Sequence, residues 1–405
     1  MESEILTKTY RTAGQVFNLN AAGQKAKLLF SPKSEGGQGL KPKVLTDGGK
    51  KKEKAGQELT YSDYSTGKEI LEDRYPNNDL VACMLEYNEV HKLLSTYVQG
   101  YLGVADDPKK PCRIFNGRIH ADLVSYGTVT GRFSCREPNL QNIPRPDTDL
   151  GKKIRGLFKA PPGYKMVVAD YGQIEMIILA HLIGYGALFD GIRNGMDPHS
   201  ATAAGLAGID PEEFMRLVEA GDPRAKAARQ VAKGVNFAVV YGAGPEKVAA
   251  MAGITVKEAK RFLEIHMEMF PEIYRFKDKV LRVAKERRPP HIRTLLGRKR
   301  RLPALWSKDY GSRGYAERQA VNSLIQGSAA DIIKLAMVRL HQSLEPDMRL
   351  ILSVHDELVT LCPEDKADRC AEIVKEAMLG EGITGLLSVP LSSDLKIVDR
   401  WSEAK

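Results

Sequence analysis

Apolar residues recur at helical spacing in several long stretches and at strand spacing in a few short ones. DLVACMLEYNEVHKLLSTYV (Asp79 to Val98) carries the first clear helical pattern and predicts a long amphipathic helix. RIHADLVSY and TVTGRFS, separated by Gly127, predict two strands, and NLQNIPRP an irregular loop. KMVVADY (Lys165 to Tyr171) is a short apolar run after the turn PPGY. It predicts a buried strand ending at Asp170, followed by a helix over GQIEMIILAHLIG. Residues 210–288 read as mostly helical. Within them Asp222 suits an N-cap, Pro223 the first helical position and Gly242 a C-terminal stop, so a helix runs from Pro223 to Tyr241. A further helix covers about Ala316 to Glu345. RLILSV (Arg349 to Val354) and ELVTLC (Glu357 to Cys362) predict strands flanking His355-Asp356. The segment from Ser31 to Gly67 is rich in Gly, Lys and Ser. Around TDGGKKKEKAG (Thr46 to Gly56) it reads as a flexible basic loop: an ordinary surface loop, or an element that grips phosphates.

The 405 residues suggest two or three domains at roughly 150 residues each. A hydrophobic fraction of 43% beside 27% charged residues excludes wholesale disorder and a fibrous chain. No apolar run approaches the ~18 residues of a membrane span, and the N-terminus carries no secretory pattern. The five cysteines are odd in number and widely spaced, as for free thiols in a reducing compartment. Sixty Lys and Arg against 51 Asp and Glu give a net charge of +9, a modest bias toward a polyanionic partner.

The chain lacks the phosphate loop G-x-x-x-x-G-K-[ST], HExxH and GxSxG. Two acids stand out instead: Asp170 at the end of an apolar strand and Asp356 between two others. Each alone reads as a turn cap; brought together on one sheet they would make a carboxylate pair suited to Mg2+. Glu357 is adjacent, and either assists or faces solvent. On the helix from Pro223, Arg229, Lys233, Phe237 and Tyr241 are spaced by four and share one broad face, two cations followed by two aromatics. The cations suit phosphate oxygens and the aromatics suit stacking on a base or sugar; a solvated basic end followed by a core aromatic end fits the same periodicity.

The longer motifs separate these readings. TGRFSCREPNLQNIP from Thr130, VADYGQIEM (Val168 to Met176), RQVAKGVNFAVVYG (Arg229 to Gly242), VNSLIQGSAADIIKLAM (Val321 to Met337) and VHDELV (Val354 to Val359) occur in the order seen in family A DNA polymerases. FNLN (Phe17 to Asn20) and KLLSTY (Lys92 to Tyr97) resemble that family's thumb. The chain therefore resembles this family over nearly its whole length. The resemblance implies an α+β right-hand fold: a thumb over 1–105 with a Lys/Gly-rich tip loop near 46–56, an antiparallel-sheet palm over 106–185 and 324–405, and helical fingers over 186–323. It implies template-directed addition of deoxynucleotides to a primer 3′-hydroxyl, with Mg2+ (two ions, replaceable by Mn2+) held by Asp170, Asp356 and the Tyr171 backbone carbonyl. Lys233 and Glu357 join the aspartates as catalytic groups, Lys233 by protonating the departing pyrophosphate.

By the same resemblance Arg229, Lys233 and His199 cradle the triphosphate and Phe237 stacks on the nucleotide, implying rejection of dideoxynucleotides. Tyr241 holds the template side, Gln173 lines the nucleotide site and Glu175 blocks a ribose 2′-hydroxyl. Arg132, Asn139, Asn142, Gln173, Arg318, Asn322, Gln326 and His355 would contact primer–template, with Lys50 and Lys51 on its phosphates. Three positions depart from the family pattern: Gly172 in place of Ser, Ile177 in place of Arg, with loss of a salt bridge, and Gln230 in place of a basic residue. The expected partners are primer–template DNA and deoxynucleoside triphosphates, for a monomer in a bacterial or phage-infected cytoplasm (or an organelle), with accessory replication proteins. The thumb motif begins at Phe17, so no proofreading exonuclease is expected in this chain. The competing expectations are a single-subunit RNA polymerase, opposed by Glu175 and the motif at Thr130, and a primer–template-binding fragment without catalysis.

Overall fold

The computed structural model describes residues 2–146 and 148–404. The chain divides into two compact units, 1–120 and 121–405.

The first unit is helical. Helices α1 (Glu2–Ala13), α2 (Asp47–Lys54) and α3 (Asp79–Leu93) are the ones that matter below. The core joins Ile5, Leu29, Leu71, Leu80 and Met84. Helix α3 begins where the apolar pattern does, with the Asn78 side chain accepting the Val81 N–H at 2.9 Å. It then widens into a π-helical turn, Leu94–Val98, so the run to Val98 is continuous but not uniformly α-helical.

The basic segment near residue 50 corrects the loop expectation, since it folds as α2. Thr46 Oγ1 accepts the Gly49 N–H at 3.0 Å, Asp47 lies in the first turn, and Lys51, Lys52 and Lys54 lie in the last. Cap and charges all complement the helix dipole, which outweighs two glycines. Lys52 also pairs with Asp63 at 2.9 Å. Lys50 and Lys51 remain exposed.

The second unit is built on a four-stranded antiparallel sheet with order β4–β1–β3–β2: β1 Tyr164–Tyr171, β2 Arg349–Val354, β3 Glu357–Pro363 and β4 Ser393–Val398. Strands β1 and β3 are central, and a continuous apolar run is what a strand covered on both faces requires. The helices that matter below are α4 (Ile174–Ile183), α5 (Pro198–Ala207), α6 (Pro223–Val240), α7 (Val256–Met269), α8 (Pro271–Glu286), α9 (Tyr310–Ser343) and α10 (Ala367–Leu379). Helix α4 is almost wholly buried and packs in the core against α8 and α9. Ile177, where the family pattern has Arg, is part of that core. The α+β fold class expected from the sequence is what the structure has.

Helix α6 has the ends its sequence announces. Asp222 Oδ1 accepts the N–H groups of Arg224 and Ala225 at 2.9 and 2.8 Å, and Gly242 has φ +63°.

TVTGRFS is the second correction. Only Ser134–Arg136 forms a strand, paired with Asp122–Val124, while 128–133 is a turn. The Thr128 hydroxyl donates to the Arg132 carbonyl at 2.7 Å, and Gly131 has φ +87°. A Cβ on Gly131 would lie 2.1 Å from Arg298 Nη1. Arg298 donates to the carbonyls of Thr130 and Gly327, each at 2.8 Å, and pairs with Asp331 at 2.9 Å. One guanidinium thus fastens the T-G-R turn to the middle of α9.

Candidate active site

Two strand ends meet at the head of the sheet. Asp170 stands opposite Glu357 on β3 and opposite Asp394 on β4. The Tyr171 N–H donates to the Asp356 carbonyl at 3.2 Å, and the Tyr171 hydroxyl to Met378 on α10 at 2.9 Å. Asp356 therefore lies beside the end of β1, in the two-residue turn joining β2 to β3. Its neighbour His355 takes φ +53°, the left-handed sense such turns demand. The structure thus brings Asp170 and Asp356, 186 positions apart by number, to one edge of the sheet. Asp394 faces Asp170 in register and is exposed; nothing in the sequence marked it.

Glu357 is corrected by its surroundings. It is 2% exposed, its Oε1 accepts the Trp401 indole N–H at 2.7 Å, and Arg155 Nη1 lies 3.9 Å away. The Arg155 guanidinium stacks 4.1 Å over the Trp401 ring. The carboxylate does not face solvent. It anchors Trp401 beneath the sheet, and the ion pair offsets the cost of burying both charges.

From Asp356 a line of polar contacts leads to α6. Arg132 Nη2 stands 3.8 Å from Asp356 Oδ1 and also pairs with Glu175 at the start of α4. Glu175 is 7% exposed and accepts the Tyr241 hydroxyl on its other oxygen. Gln326 of α9 donates to that hydroxyl at 3.2 Å. Burial and the Glu175 charge both push the Tyr241 phenol well above its ordinary pKa, so it stays a hydrogen-bond donor. Tyr241 stacks on Phe237 at 6.0 Å, and Phe237 lies 5.7 Å from the His199 ring.

The cationic end of α6 is held by a residue the sequence reading passed over. Asp197 accepts Arg229 Nε at 2.7 Å, the Ser200 N–H at 2.9 Å and the Gln173 amide. Burial alone would raise its pKa, but the hydrogen bonds from Arg229, Ser200 and Gln173 outweigh it and hold the carboxyl well below the usual range. Asp197-Pro198 was a readable signal, an N-cap followed by a first-turn proline. Gln173 takes φ +51° as it turns the chain from β1 into α4. Gly172 beside it is a close approach: its N–H donates to the Ser392 carbonyl at 2.9 Å, and a Cβ would lie 2.6 Å from Ser392 Oγ.

Of the remaining candidates, Arg318 is exposed beside Tyr241 and Gly242 in a cavity shared with Tyr310 and Arg313. Asn322 is half-buried on the same helix, and exposed His355 lines a cleft with Arg132, Gln141 and Lys334. Asn142 is exposed. Asn139 has a local duty, accepting the Gln141 N–H at 3.0 Å and capping a short turn. Lys233 is half-buried on α6, one turn after Arg229. Lys50 and Lys51 belong to the first unit.

A carboxylate-headed antiparallel sheet, with a cation-and-aromatic helix tied to it through Arg132 and Glu175, defines a nucleic-acid polymerase domain. A model of DNA polymerase family A matches residues 2–403, and the chain belongs to that family. It is 37% identical over 411 residues to DNA polymerase I of Caldicellulosiruptor bescii, covering 100% of this chain and 43% of that one. It is 38% identical to the thermostable DNA polymerase I of Thermus filiformis, covering 98% of this chain and 43% of the relative. The chain thus spans about two fifths of the length of these curated relatives. Among solved structures it is similar to the POL domain of Pol1 from M. smegmatis in complex with DNA primer-template and dNTP. That match has a TM-score of 0.81 at 28% identity, and covers 99% of this chain and 64% of the other. Among the described residues no helix is long and apolar enough to cross a membrane.

Proposed function

We propose that this chain is a template-directed DNA polymerase that joins deoxynucleoside triphosphates to a primer 3′-hydroxyl and releases pyrophosphate. The observation that carries this is the bridge made by Arg132, which contacts Asp356 at the sheet edge and Glu175, the acceptor for Tyr241. It supports reading the strand-end carboxylate pair and the cation-and-aromatic helix as one site.

The donor set fits a hard divalent cation. Asp170, Asp356 and the Tyr171 carbonyl offer only oxygen. Among the described residues no group of three His, Cys, Asp or Glu side chains forms a ready-made cage. Mg2+ prefers one or two carboxylates completed by water and substrate phosphates, which is what this edge provides. When bound there, two such ions would acidify the primer hydroxyl and neutralise charge on the transferring phosphoryl group. The chain's own residues do the rest. Arg229, oriented by Asp197, presents its fork to phosphate oxygens, and Lys233 one turn on supplies a point charge and a proton for pyrophosphate. Phe237 takes the base and sugar. Glu175 closes the side where a 2′-hydroxyl would project, and Tyr241 holds the template side. Arg132, Gln326, Asn322, Arg318, Asn142 and His355 face the primer–template. In this reading residues 1–105 serve as thumb, 186–323 as fingers, and the sheet with its flanks as palm.

Primer extension on a short primer–template with Mg2+ tests the reading directly. Incorporation of deoxynucleotides in preference to ribonucleotides supports it, equal use of both favours an RNA polymerase, and binding without extension identifies a non-catalytic module. Two further outcomes are expected. Phe237→Tyr adds a hydroxyl where the sugar 3′ position should lie and should relax rejection of dideoxynucleotides about a hundredfold, a loss of discrimination of roughly 3 kcal/mol; termination assays with mixed nucleotides measure it. Replacing both Lys50 and Lys51 by Ala should reduce the slope of log K against log salt for primer–template by about 2, with no change in sequence preference; titrations at several salt concentrations read this out.

A further inference from the structure

Behind the nucleotide face of α6 lies a buried polar chain. Asn236, 1% exposed, projects from α6 toward α5 and α7, where Ala203, Ala204 and Ala232 allow the helices to close up. Its amide orientation is set by its neighbours. The Pro198 carbonyl can only accept, so the Asn236 atom 3.2 Å from it is Nδ2. The Thr202 hydroxyl stands 3.0 Å from Oδ1, and His266 Nε2 lies 3.2 Å from the same oxygen. An amide oxygen cannot donate, so His266 carries its proton on Nε2 and accepts from the Tyr274 hydroxyl, 3.3 Å away, on Nδ1. The same reasoning passes to the other side. Asn236 Nδ2 is 3.0 Å from His199 Nδ1, so that nitrogen accepts and the His199 proton resides on Nε2. His199 is 1% exposed, and its Nε2 is buried with no hydrogen-bond partner among the described residues. Burial, reinforced by Arg229 and Lys233 and opposed by Asp197, lowers the His199 pKa to about 4; burial, with Lys277, lowers that of His266 to about 4 as well. Both rings are therefore neutral near pH 7.

We infer that Asn236, itself held by His266 and Tyr274, is a positioning residue that fixes His199 in its Nε2–H tautomer, so that this N–H donates to a phosphate oxygen of the incoming nucleotide. The inference rests on the nucleotide-binding reading of α6. The opposite tautomer would present a lone pair to an anionic oxygen, turning an attractive contact into a repulsive one. A fixed neutral donor supplies direction beside the Arg229 and Lys233 cations, which supply charge.

The test combines histidine 15N NMR on the full chain with steady-state kinetics. His199 resonances, assigned by their loss in His199→Ala, should report a single Nε2–H tautomer at pH 7. Asn236→Leu should give mixed tautomers and raise KM for the deoxynucleotide about tenfold, the worth of one directed hydrogen bond to a charged group, with kcat and primer–template affinity within about twofold. In a His199→Ala background the same change should add less than about twofold, because its effect runs through His199. His266→Leu should raise KM about threefold, and His266→Gln, whose amide N–H can replace the ring donor, should restore it. An Nδ1–H tautomer in the wild type, or an equal KM penalty for Asn236→Leu with and without His199, overturns the inference. If Asn236→Leu does not fold, the His266 pair decides, and a His266→Leu KM equal to wild type overturns it. A fixed tautomer in a wild type that binds no nucleotide would instead refute the nucleotide-binding reading, and with it the assigned purpose of the tautomer.

Discussion

Asp356→Ala should lower the rate of primer extension at least about a thousandfold while leaving primer–template affinity within about threefold of wild type. The size follows from what the carboxylate is asked to do. If Asp356 and Asp170 hold the cations that neutralise the transferring phosphoryl group, removing one ligand forfeits about 4 kcal/mol or more of transition-state stabilisation, and each 1.4 kcal/mol is a factor of ten. The fold should survive. Asp356 is about a quarter exposed in a two-residue turn, and the left-handed strain is borne by His355 beside it. Asp356→Asn separates the contributions: it keeps the shape and the approach to Arg132 but not the charge, and should be nearly as inactive as the alanine variant. Rapid-quench extension with a labelled primer measures the rates, and a mobility shift the affinity. Extension by Asp356→Ala at more than about a tenth of the wild-type rate would sink the two-carboxylate mechanism.

How much of this site was legible in the chain depends on the range of the interactions involved. Strand β1 and its terminal Asp170 were readable because a doubly covered strand must be apolar throughout. Helix α6 was readable because Asp222, Pro223 and Gly242 act within one turn of its ends. The hairpin around Asp356 announced itself by two apolar runs with a two-residue gap. Local chemistry also misled. Lysines and glycines near residue 50 suggested a loop by composition, yet Thr46 and the order of the charges make a capped helix. The β-like residues of TVTGRFS suggested a strand, but Arg298, more than 160 positions away, closes them into a turn against α9. The least legible features are the ones that assemble the site. Arg132 joins Glu175 to Asp356, Asp197 orients Arg229, and Asn236 links two histidines from different helices. These are side-chain contacts between segments whose meeting is decided by packing, and no local periodicity encodes them. Glu357 shows the converse, where adjacency to Asp356 suggested a group that assists or faces solvent, and the structure buries it against an indole and a guanidinium.

Glu175→Ala should raise the use of ribonucleotides relative to deoxynucleotides about a hundredfold. Glu175 is buried against Arg132 on one oxygen and Tyr241 on the other, so it cannot swing aside without abandoning both. A ribose 2′-hydroxyl meeting such a fixed group suffers a clash of about 2–3 kcal/mol, the usual cost of forcing an extra group into a packed site. That cost converts to a factor of roughly 30–150. Truncation removes the obstacle and also strands its partners. Arg132 loses the Glu175 carboxylate and the Tyr241 hydroxyl keeps, among the described residues, its bond from Gln326, so stability should fall by about 2 kcal/mol and deoxynucleotide turnover by about tenfold. Glu175→Gln separates the two effects. It keeps the volume and one acceptor oxygen while weakening the hold on Arg132, so discrimination should persist while turnover drops. Competition between matched ribo- and deoxynucleotides, with thermal melting of each variant, measures both. If Glu175→Ala discriminates as the wild type does, Glu175 is only a strut between Arg132 and Tyr241, and the sugar is read elsewhere on α6. If Glu175→Gln loses discrimination together with the alanine variant, the carboxylate acts through the position it imposes on Tyr241 rather than through its own bulk.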